Sequence, residues 1–189
     1  MNGGPEGFGP EEAAGPLLAG LGLEAGPDPT VLVLGTFPSV LARRDGAYYA
    51  NPRNQFWPIV EALFGIPRDT PYRDRVRALN ERGVALWDTV DACRQVGSMD
   101  QTIRQPVLND IVGYLEAHPT VRLLAVNGRT AERFLKRAMR GRTTPSGVRI
   151  EVLPSTSPAH AGMRPDQKAR SWAVIAEYAR LPLTLSSRS

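Results

Sequence analysis

The chain has 189 residues, 42% hydrophobic and 22% charged, with a formal net charge of +4 and a sequence pI of about 9.6, which suits one domain with a polyanionic partner. No apolar run approaches the roughly 20 residues that span a bilayer and the amino terminus lacks a signal-peptide pattern, so we expect a cytoplasmic protein without membrane contact. One cysteine, Cys93, and two histidines exclude a disulfide framework and leave few metal ligands, so we expect neither a metal nor a cofactor.

The first part of the chain has a biased composition. Residues 1–29 are rich in Gly, Pro, Ala and Glu, with only one short apolar patch, and this composition predicts a mobile tail. We therefore place the folded domain at residues 30–182 and a flexible end at residues 183–189.

Four continuous apolar runs predict buried strands: TVLVLG from Thr30, GVALWDTV from Gly83, VRLLAVNG from Val121 and GVRIEVLPS from Gly147. Helical spacing predicts helices between and after them, at residues 56–64, 72–81, 107–115, 130–140 and 166–178. This alternation predicts a three-layer α/β/α domain around a central four-stranded, mainly parallel sheet.

Polar, small and aromatic residues follow each predicted strand. The segments are GTFPS, WDTVDACR, NGRTA and PSTSPAHAG, and the aromatic stretch YYANPRNQFW lies between the first two. Because ligands of open α/β sheets bind beyond the carboxyl ends of the strands, we expect these segments to meet at one edge.

Four segments together carry a family resemblance: LGTFPS, YYANPRNQFWPI, GVALWDTVDACRQVGSMDQTI and LPSTSPAHAG. In this order and spacing they resemble the hypoxanthine (deoxyinosine) branch of the uracil-DNA glycosylase superfamily, over about residues 31–172. The resemblance implies a DNA glycosylase of base-excision repair that flips a deaminated base, chiefly hypoxanthine, into a pocket and hydrolyses its N-glycosidic bond. It implies a DNA partner and no cofactor; a monomer is the expectation. No lysine lies in the four segments, so a monofunctional enzyme without lyase chemistry is expected.

The resemblance assigns catalysis to Asn54 in PRNQFW. In the mismatch-specific uracil branch the catalytic asparagine lies in the first motif, but Phe37 occupies that position here. Asn54 would orient the attacking water or stabilise the sugar cation through its amide oxygen. By residue type, Asn54 is equally suited to cap the helix that begins after it, and both interpretations stay open.

We expect the turn after the first strand to form the pocket for the base together with one tyrosine and one aspartate. The residues are Gly35, Thr36, Phe37, Pro38, Tyr49 and Asp88. Phe37 would stack on the base, although an isolated Phe after a strand more often plugs the core. Asp88 stands where the uracil-specific enzymes place a base-reading asparagine, and an ionised carboxylate there would accept the N1–H of hypoxanthine. A helix cap or a buried ion pair is the alternative for Asp88.

DNA contacts are expected from Arg53 and from the last motif: Ser155, Thr156, Ser157, Pro158, Ala159 and His160. Hydroxyl and backbone N–H groups would contact phosphates, and Ala159 or His160 would fill the space left by the flipped base. Lys168 flanks this loop as a further phosphate contact.

Two other functions stay open from the sequence. One is a uracil or mismatch-specific glycosylase, since the superfamily fold serves several bases. The other is a damaged-DNA-binding module that keeps the pocket without turnover.

Overall fold

The computed structural model describes residues 15–160 and 162–180. Its strands are β1 (Leu17–Ala19), β2 (Val31–Gly35), β3 (Val84–Asp88), β4 (Val90–Arg94), β5 (Arg104–Leu108), β6 (Leu123–Asn127) and β7 (Arg149–Leu153). Its helices are α1 (Val40–Asp45), α2 (Phe56–Phe64), α3 (Tyr72–Glu81), α4 (Ile111–Ala117), α5 (Arg129–Ala138), α6 (Pro165–Trp172) and α7 (Val174–Tyr178). A short 3₁₀ helix spans Asp100–Thr102.

The central sheet has four parallel strands in the order β3, β2, β6, β7. Residues of β2 alternate between two hydrophobic clusters: Val31 and Val33 face α2, α3, α6 and α7, whereas Leu32 and Leu34 face α4 and α5. Burial of each such side chain stabilises the fold by about 1.5–3 kcal/mol. The predicted three-layer domain with a four-stranded parallel sheet is therefore confirmed.

A second sheet was not predicted. It is antiparallel, in the order β1, β4, β5, and β1 pairs Leu17 with Arg94 and Ala19 with Ala92. The main chain of Glu24 also bridges to Leu86. Residues 15–29 are thus attached to the domain through backbone hydrogen bonds, whereas the mobile tail was predicted to reach residue 29. The predictions for residues 1–14 and for the carboxyl-terminal end lie outside the described residues, and the domain boundaries stay predictions.

The predicted helix at residues 107–115 is wrong in its first part. Val107 and Leu108 belong to β5, which pairs with β4, and α4 begins only at Ile111. Asp110 accepts a hydrogen bond from the N–H of Gly113 at 2.9 Å and caps α4. No helix in the described ranges is long and apolar enough to cross a membrane.

Candidate active site

The carboxyl ends of β2, β3, β6 and β7 open into a cleft of about 570 Å³. This volume lies within the range of small-molecule and cofactor sites. All fourteen residues predicted for the site line this cleft. The cleft is also lined by Ser39, Ala42, Tyr48, Asn51, Ser98, Met99, Asp100, Gln101, Asn127 and Thr130. The four segments, which are far apart in the sequence, therefore meet beyond the carboxyl ends of the strands, as expected.

Asp88, the last residue of β3, lies at the floor of the cleft and is 3% exposed. One of its carboxyl oxygens, Oδ2, has no hydrogen-bond partner among the described residues. The other, Oδ1, occupies the space where a side chain at Gly35 would begin. Gly35 pairs with Asp88 across β2 and β3, so the missing Cβ makes room for the carboxyl group.

The protonation of Asp88 differs from the expectation. Burial away from water and the nearby negative charge of Asp100 raise the pKa of the Asp88 carboxyl to about 8. At neutral pH the group is therefore mostly a carboxylic acid, whereas the sequence interpretation took it as an ionised acceptor. As an acid it offers one O–H donor and one acceptor to a ligand.

Asp100 is a site residue that the sequence interpretation missed. It begins the 3₁₀ helix, lines the cleft, and lies within hydrogen-bonding reach of the Thr36 hydroxyl. Burial raises the pKa of its carboxyl, while Thr36 and the positive charges of His160 and Arg133 oppose that rise. Two carboxyl groups, on Asp88 and Asp100, thus share the cleft.

Asn54 lies at the wall of the cleft, two residues before α2 begins. Its side-chain oxygen Oδ1 accepts the Phe56 N–H at 3.0 Å, so Asn54 holds the start of α2 from the position before the N-cap residue, Gln55, which makes no side-chain cap bond of its own. A carbonyl oxygen has a second lone pair, and the amide also has two N–H donors. The cap therefore fixes the direction of the Asn54 side chain and still leaves groups for a ligand or a water.

Tyr49 and Tyr48 lie in different environments, although they are adjacent in the sequence. Tyr49 has a backbone φ of +58°, a conformation that costs a non-glycine residue free energy and that clusters at functional sites. Its ring stacks on Phe56 with centroids 4.1 Å apart, and its buried hydroxyl lies near Asn127. Tyr48 belongs to the core, since it is 2% exposed and its hydroxyl donates to the carbonyls of Leu21 and Gly22.

The loop after β7 is held at one residue, Thr156. The Asn127 side chain donates to the Thr156 hydroxyl and accepts the Thr156 N–H, both at 2.9 Å. The Thr156 carbonyl accepts the N–H of Gln55 at 2.9 Å. Thr156 is 0% exposed, so it anchors the loop instead of contacting DNA directly as predicted. Asn127, the last residue of β6, was also missed.

The rest of this loop faces outward. Ser155 and Ser157 accept the N–H groups of Ser157 and Ala159 at 3.3 Å each, and Ala159 and His160 are exposed at the tip. Pro158 lies beside them at the cleft. Arg53 is also exposed and forms no ion pair with any described residue. These groups are available to a ligand at the mouth of the cleft.

Phe37 and Pro38 form the turn after β2. The Phe37 ring lines the cleft and also packs against a small cluster on β4 that includes Val90 and Cys93. The guanidinium of Arg43 lies 5.3 Å from the Phe37 ring centroid and donates to the Pro38 carbonyl at 2.7 Å. Phe37 therefore both fills space in the core and forms part of the cleft wall. The sequence interpretation treated these two roles as alternatives.

Lys168 is not a surface cation. It is 1% exposed, and its ammonium group donates to the His160 carbonyl at 2.8 Å. Burial lowers the pKa of this ammonium group. Lys168 thus supports the loop from beneath instead of reaching a phosphate.

Replacing Gly35 by alanine tests the fit between β2 and Asp88. The new Cβ would collide with Asp88 Oδ1 and displace the carboxyl group. We expect the free energy of unfolding to fall by about 1–3 kcal/mol, as for other overpacked cores. We also expect the rate of base excision, the activity that the family resemblance implies, to fall by about 10²-fold. Thermal unfolding and single-turnover rates measure the two effects. Gly22→Ala is the matched control, because a Cβ there meets no atom within 4 Å; wild-type activity in Gly35→Ala would contradict the role of the contact.

Comparisons with known proteins agree on one family. The model of the Uracil DNA glycosylase superfamily matches residues 23–179. A protein of Methanosarcina acetivorans named hypoxanthine DNA glycosylase is 35% identical over 131 residues, which cover 69% of this chain and 80% of the relative. A second protein of that name, from Methanosarcina barkeri, is 27% identical over 146 residues, covering 76% and 87%.

A solved structure is similar as well. It is a solution NMR structure of a Methanosarcina acetivorans protein provisionally named as a uracil DNA glycosylase. The TM-score is 0.71 at 29% sequence identity, and the match covers 85% of this chain and 96% of the other. The match therefore extends over most of the length of both chains.

Proposed function

The chain belongs to the uracil DNA glycosylase superfamily, and from this premise we propose that it is a monofunctional DNA glycosylase that removes hypoxanthine from DNA in base-excision repair. Two relatives named hypoxanthine DNA glycosylase support the substrate. The partner is DNA that contains a deaminated base. The monomer expected from the sequence is part of the proposal.

One observation carries this proposal: the buried carboxyl group of Asp88, whose Oδ2 has no hydrogen-bond partner among the described residues, shares a cleft with the oriented amide of Asn54. Hydrolysis of an N-glycosidic bond develops positive charge on the sugar and negative charge on the departing base. An amide oxygen stabilises the first, and a neutral carboxylic acid donates a proton to the second. The two groups therefore match the two charges of the transition state.

The reaction proceeds in one displacement. Asn54 holds the water and faces the sugar, which gains positive charge in the transition state; the water oxygen forms a bond to C1′ while the C1′–N9 bond breaks and its electron pair leaves with the base. The Asp88 proton neutralises the departing base, and a proton released from the water restores the carboxyl group. One water is thereby added across the bond, and no cofactor is required.

We expect no lyase chemistry because of where the two lysines of the chain, Lys136 and Lys168, are placed. Lys136 is paired with Glu132 at 2.6 Å on the exposed side of α5, and Lys168 is buried against the His160 carbonyl. Neither ammonium group lines the cleft. We therefore expect borohydride to trap no covalent enzyme–DNA complex.

Uracil is the second candidate substrate. A neutral Asp88 carboxyl pairs with an adjacent N–H and C=O, and both hypoxanthine and uracil present that edge. The structural relative provisionally named as a uracil DNA glycosylase points in the same direction. Hydrogen bonding to the Asp88 carboxyl alone therefore does not distinguish hypoxanthine from uracil.

A cleavage assay on matched oligonucleotides tests the function. Each carries one hypoxanthine, uracil, xanthine or mismatched thymine, and alkali opens the abasic sites. We expect strand cleavage at hypoxanthine to exceed that at every other base. Cleavage at uracil alone would keep the glycosylase and overturn the substrate. DNA binding without cleavage at any base would favour the damaged-DNA-binding module.

A further inference from the structure

Met99 is a large apolar side chain at the mouth of the cleft that the proposed reaction does not use. Eight large hydrophobic side chains are exposed among the described residues: Leu17, Leu23, Val40, Val96, Met99, Val107, Ile150 and Met163. Within this set, Met99 alone lines the cleft, and it is 59% exposed. An apolar side chain gains free energy when it leaves water, so this position favours an apolar partner at the cleft mouth.

The backbone around Met99 is held in place. The Met99 carbonyl accepts hydrogen bonds from the N–H and the hydroxyl of Thr102, at 2.8 and 2.7 Å, and from the Gln95 amide at 3.1 Å. Next to it, the Ser98 hydroxyl accepts the Val40 N–H at 2.9 Å. The exposed side chain therefore projects from an ordered turn, which lowers the entropy lost when it meets a partner.

Met99 and the tip of the 155–160 loop line the same cleft, and Asp100, the residue after Met99, lines it with them. A duplex that places a nucleotide in this cleft therefore lies against both the loop tip and Met99. The loop itself carries Ser, Thr, Pro, Ala and His, and none of these is a long apolar side chain.

A flipped nucleotide leaves a gap in the base stack, and proteins that hold such DNA commonly insert an apolar wedge. Ala159 is too small to span a stacked base, and His160 is polar. We propose that Met99 is the wedge, entering the duplex beside the flipped nucleotide and packing on the neighbouring base faces. The inference rests on the proposed function and assigns the loop and Met99 separate tasks: the loop holds phosphates, and Met99 holds the gap open.

Methionine suits this task chemically. Its thioether is flexible and polarisable and packs favourably on aromatic faces. Such contacts do not distinguish one base from another, so a wedge of this kind accepts any sequence beside the lesion. We therefore expect the Met99 contribution to be independent of the neighbouring base pair.

The test compares single-turnover excision of hypoxanthine from a duplex and from a single strand of the same sequence. A wedge matters only where a base must be unstacked from a duplex. We expect Met99→Ala to slow duplex excision by about tenfold or more, with the single-strand rate within about twofold of wild type. Met99→Leu should retain most of the duplex rate. Val96→Ala is the matched control, because Val96 lies on the same turn and is 63% exposed but does not line the cleft.

A second measurement needs no turnover. A duplex carries a tetrahydrofuran abasic analogue with 2-aminopurine next to it, and 2-aminopurine brightens when it is unstacked. We expect wild type and Val96→Ala to raise the fluorescence and Met99→Ala to lose most of that rise at saturating protein.

The outcomes separate the two claims. Equal losses on duplex and single strand, or no loss, together with an unchanged fluorescence rise in Met99→Ala, overturn the wedge. A wild type that excises no base from either substrate overturns the proposed function, and the fluorescence measurement then still decides whether Met99 enters the duplex. Thermal unfolding of Met99→Ala should match wild type, since the side chain is mostly in solvent.

Discussion

Replacing Asn54 by alanine is expected to lower the single-turnover rate of hypoxanthine excision by about 10³-fold, the loss seen when one group that stabilises transition-state charge is removed. DNA affinity should change little, because Asn54 acts on the sugar and the water instead of the phosphates. The same change removes the hydrogen bond to the Phe56 N–H, which should lower the free energy of unfolding by about 1 kcal/mol.

Two variants separate catalysis from capping. Asn54→Ser keeps a capping oxygen, so it should recover stability while activity stays low. If Asn54→Ser recovers activity as well, capping is the role of this residue and the catalytic assignment is wrong. Asn51→Ala is the matched control: Asn51 lies in the same segment, and its side-chain oxygen likewise accepts an N–H two residues ahead, at 2.9 Å. It should lose a similar small amount of stability with nearly full activity.

Replacing Asp88 by asparagine is expected to lower the excision rate by about 10²-fold or more, because the amide cannot transfer a proton to the departing base. The substitution preserves the size of the group, so the fit against Gly35 is kept. In wild type, the rate should fall as pH rises through about 8, where the Asp88 carboxyl ionises. Asp88→Asn should lose that fall.

Asp100 gives an independent check of the Asp88 pKa. Its negative charge helps to raise the pKa of the Asp88 carboxyl, so Asp100→Asn should shift the fall in wild-type activity to lower pH. The other groups near this carboxyl are the Tyr48 and Tyr49 hydroxyls, whose pKa values burial raises, so both stay neutral. If activity rises through pH 8 instead, the ionised Asp88 is the working form and the proton-donor role is wrong.

Stability should follow the same titration. The unfolded chain releases the Asp88 proton near pH 3.8, whereas the folded protein keeps it until about pH 8. The stabilising contribution of this group is therefore full below pH 3.8 and declines by up to about 1.4 kcal/mol per pH unit between the two values. Denaturant unfolding should show Asp88→Asn gaining stability relative to wild type across this window. A difference that does not change with pH would contradict the raised pKa.

The sheet was predictable because its signal is local. Strands such as β2 and β6 are buried on both faces and read as continuous apolar runs, and α2 and α3 keep helical spacing throughout. The antiparallel sheet was missed for the opposite reason. β1 and β5 are short and largely exposed, and pairing with β4 determines their conformation, not their own residue pattern.

The residues of the site likewise fall into those that the sequence predicts and those that it does not. Residues at strand ends were found because the parallel sheet brings such positions together, and Asn127 follows the same rule although it was passed over. Asp100 lies in a turn twelve residues beyond Asp88, and no spacing indicates that the turn folds back over the cleft. The proton on Asp88 depends on burial and on that neighbour, so the sequence does not reveal it.

The contact between Gly35 and Asp88 also constrains how this pocket can evolve. Because the carboxyl group fills the space of the absent Cβ, any larger residue at position 35 requires a smaller one at position 88. The intermediate with only the first change carries a steric clash, and the intermediate with only the second carries a cavity. A lineage that gains a side chain at position 35 must therefore pass through a destabilised single mutant or change both codons together. The two positions should covary among descendants of this protein.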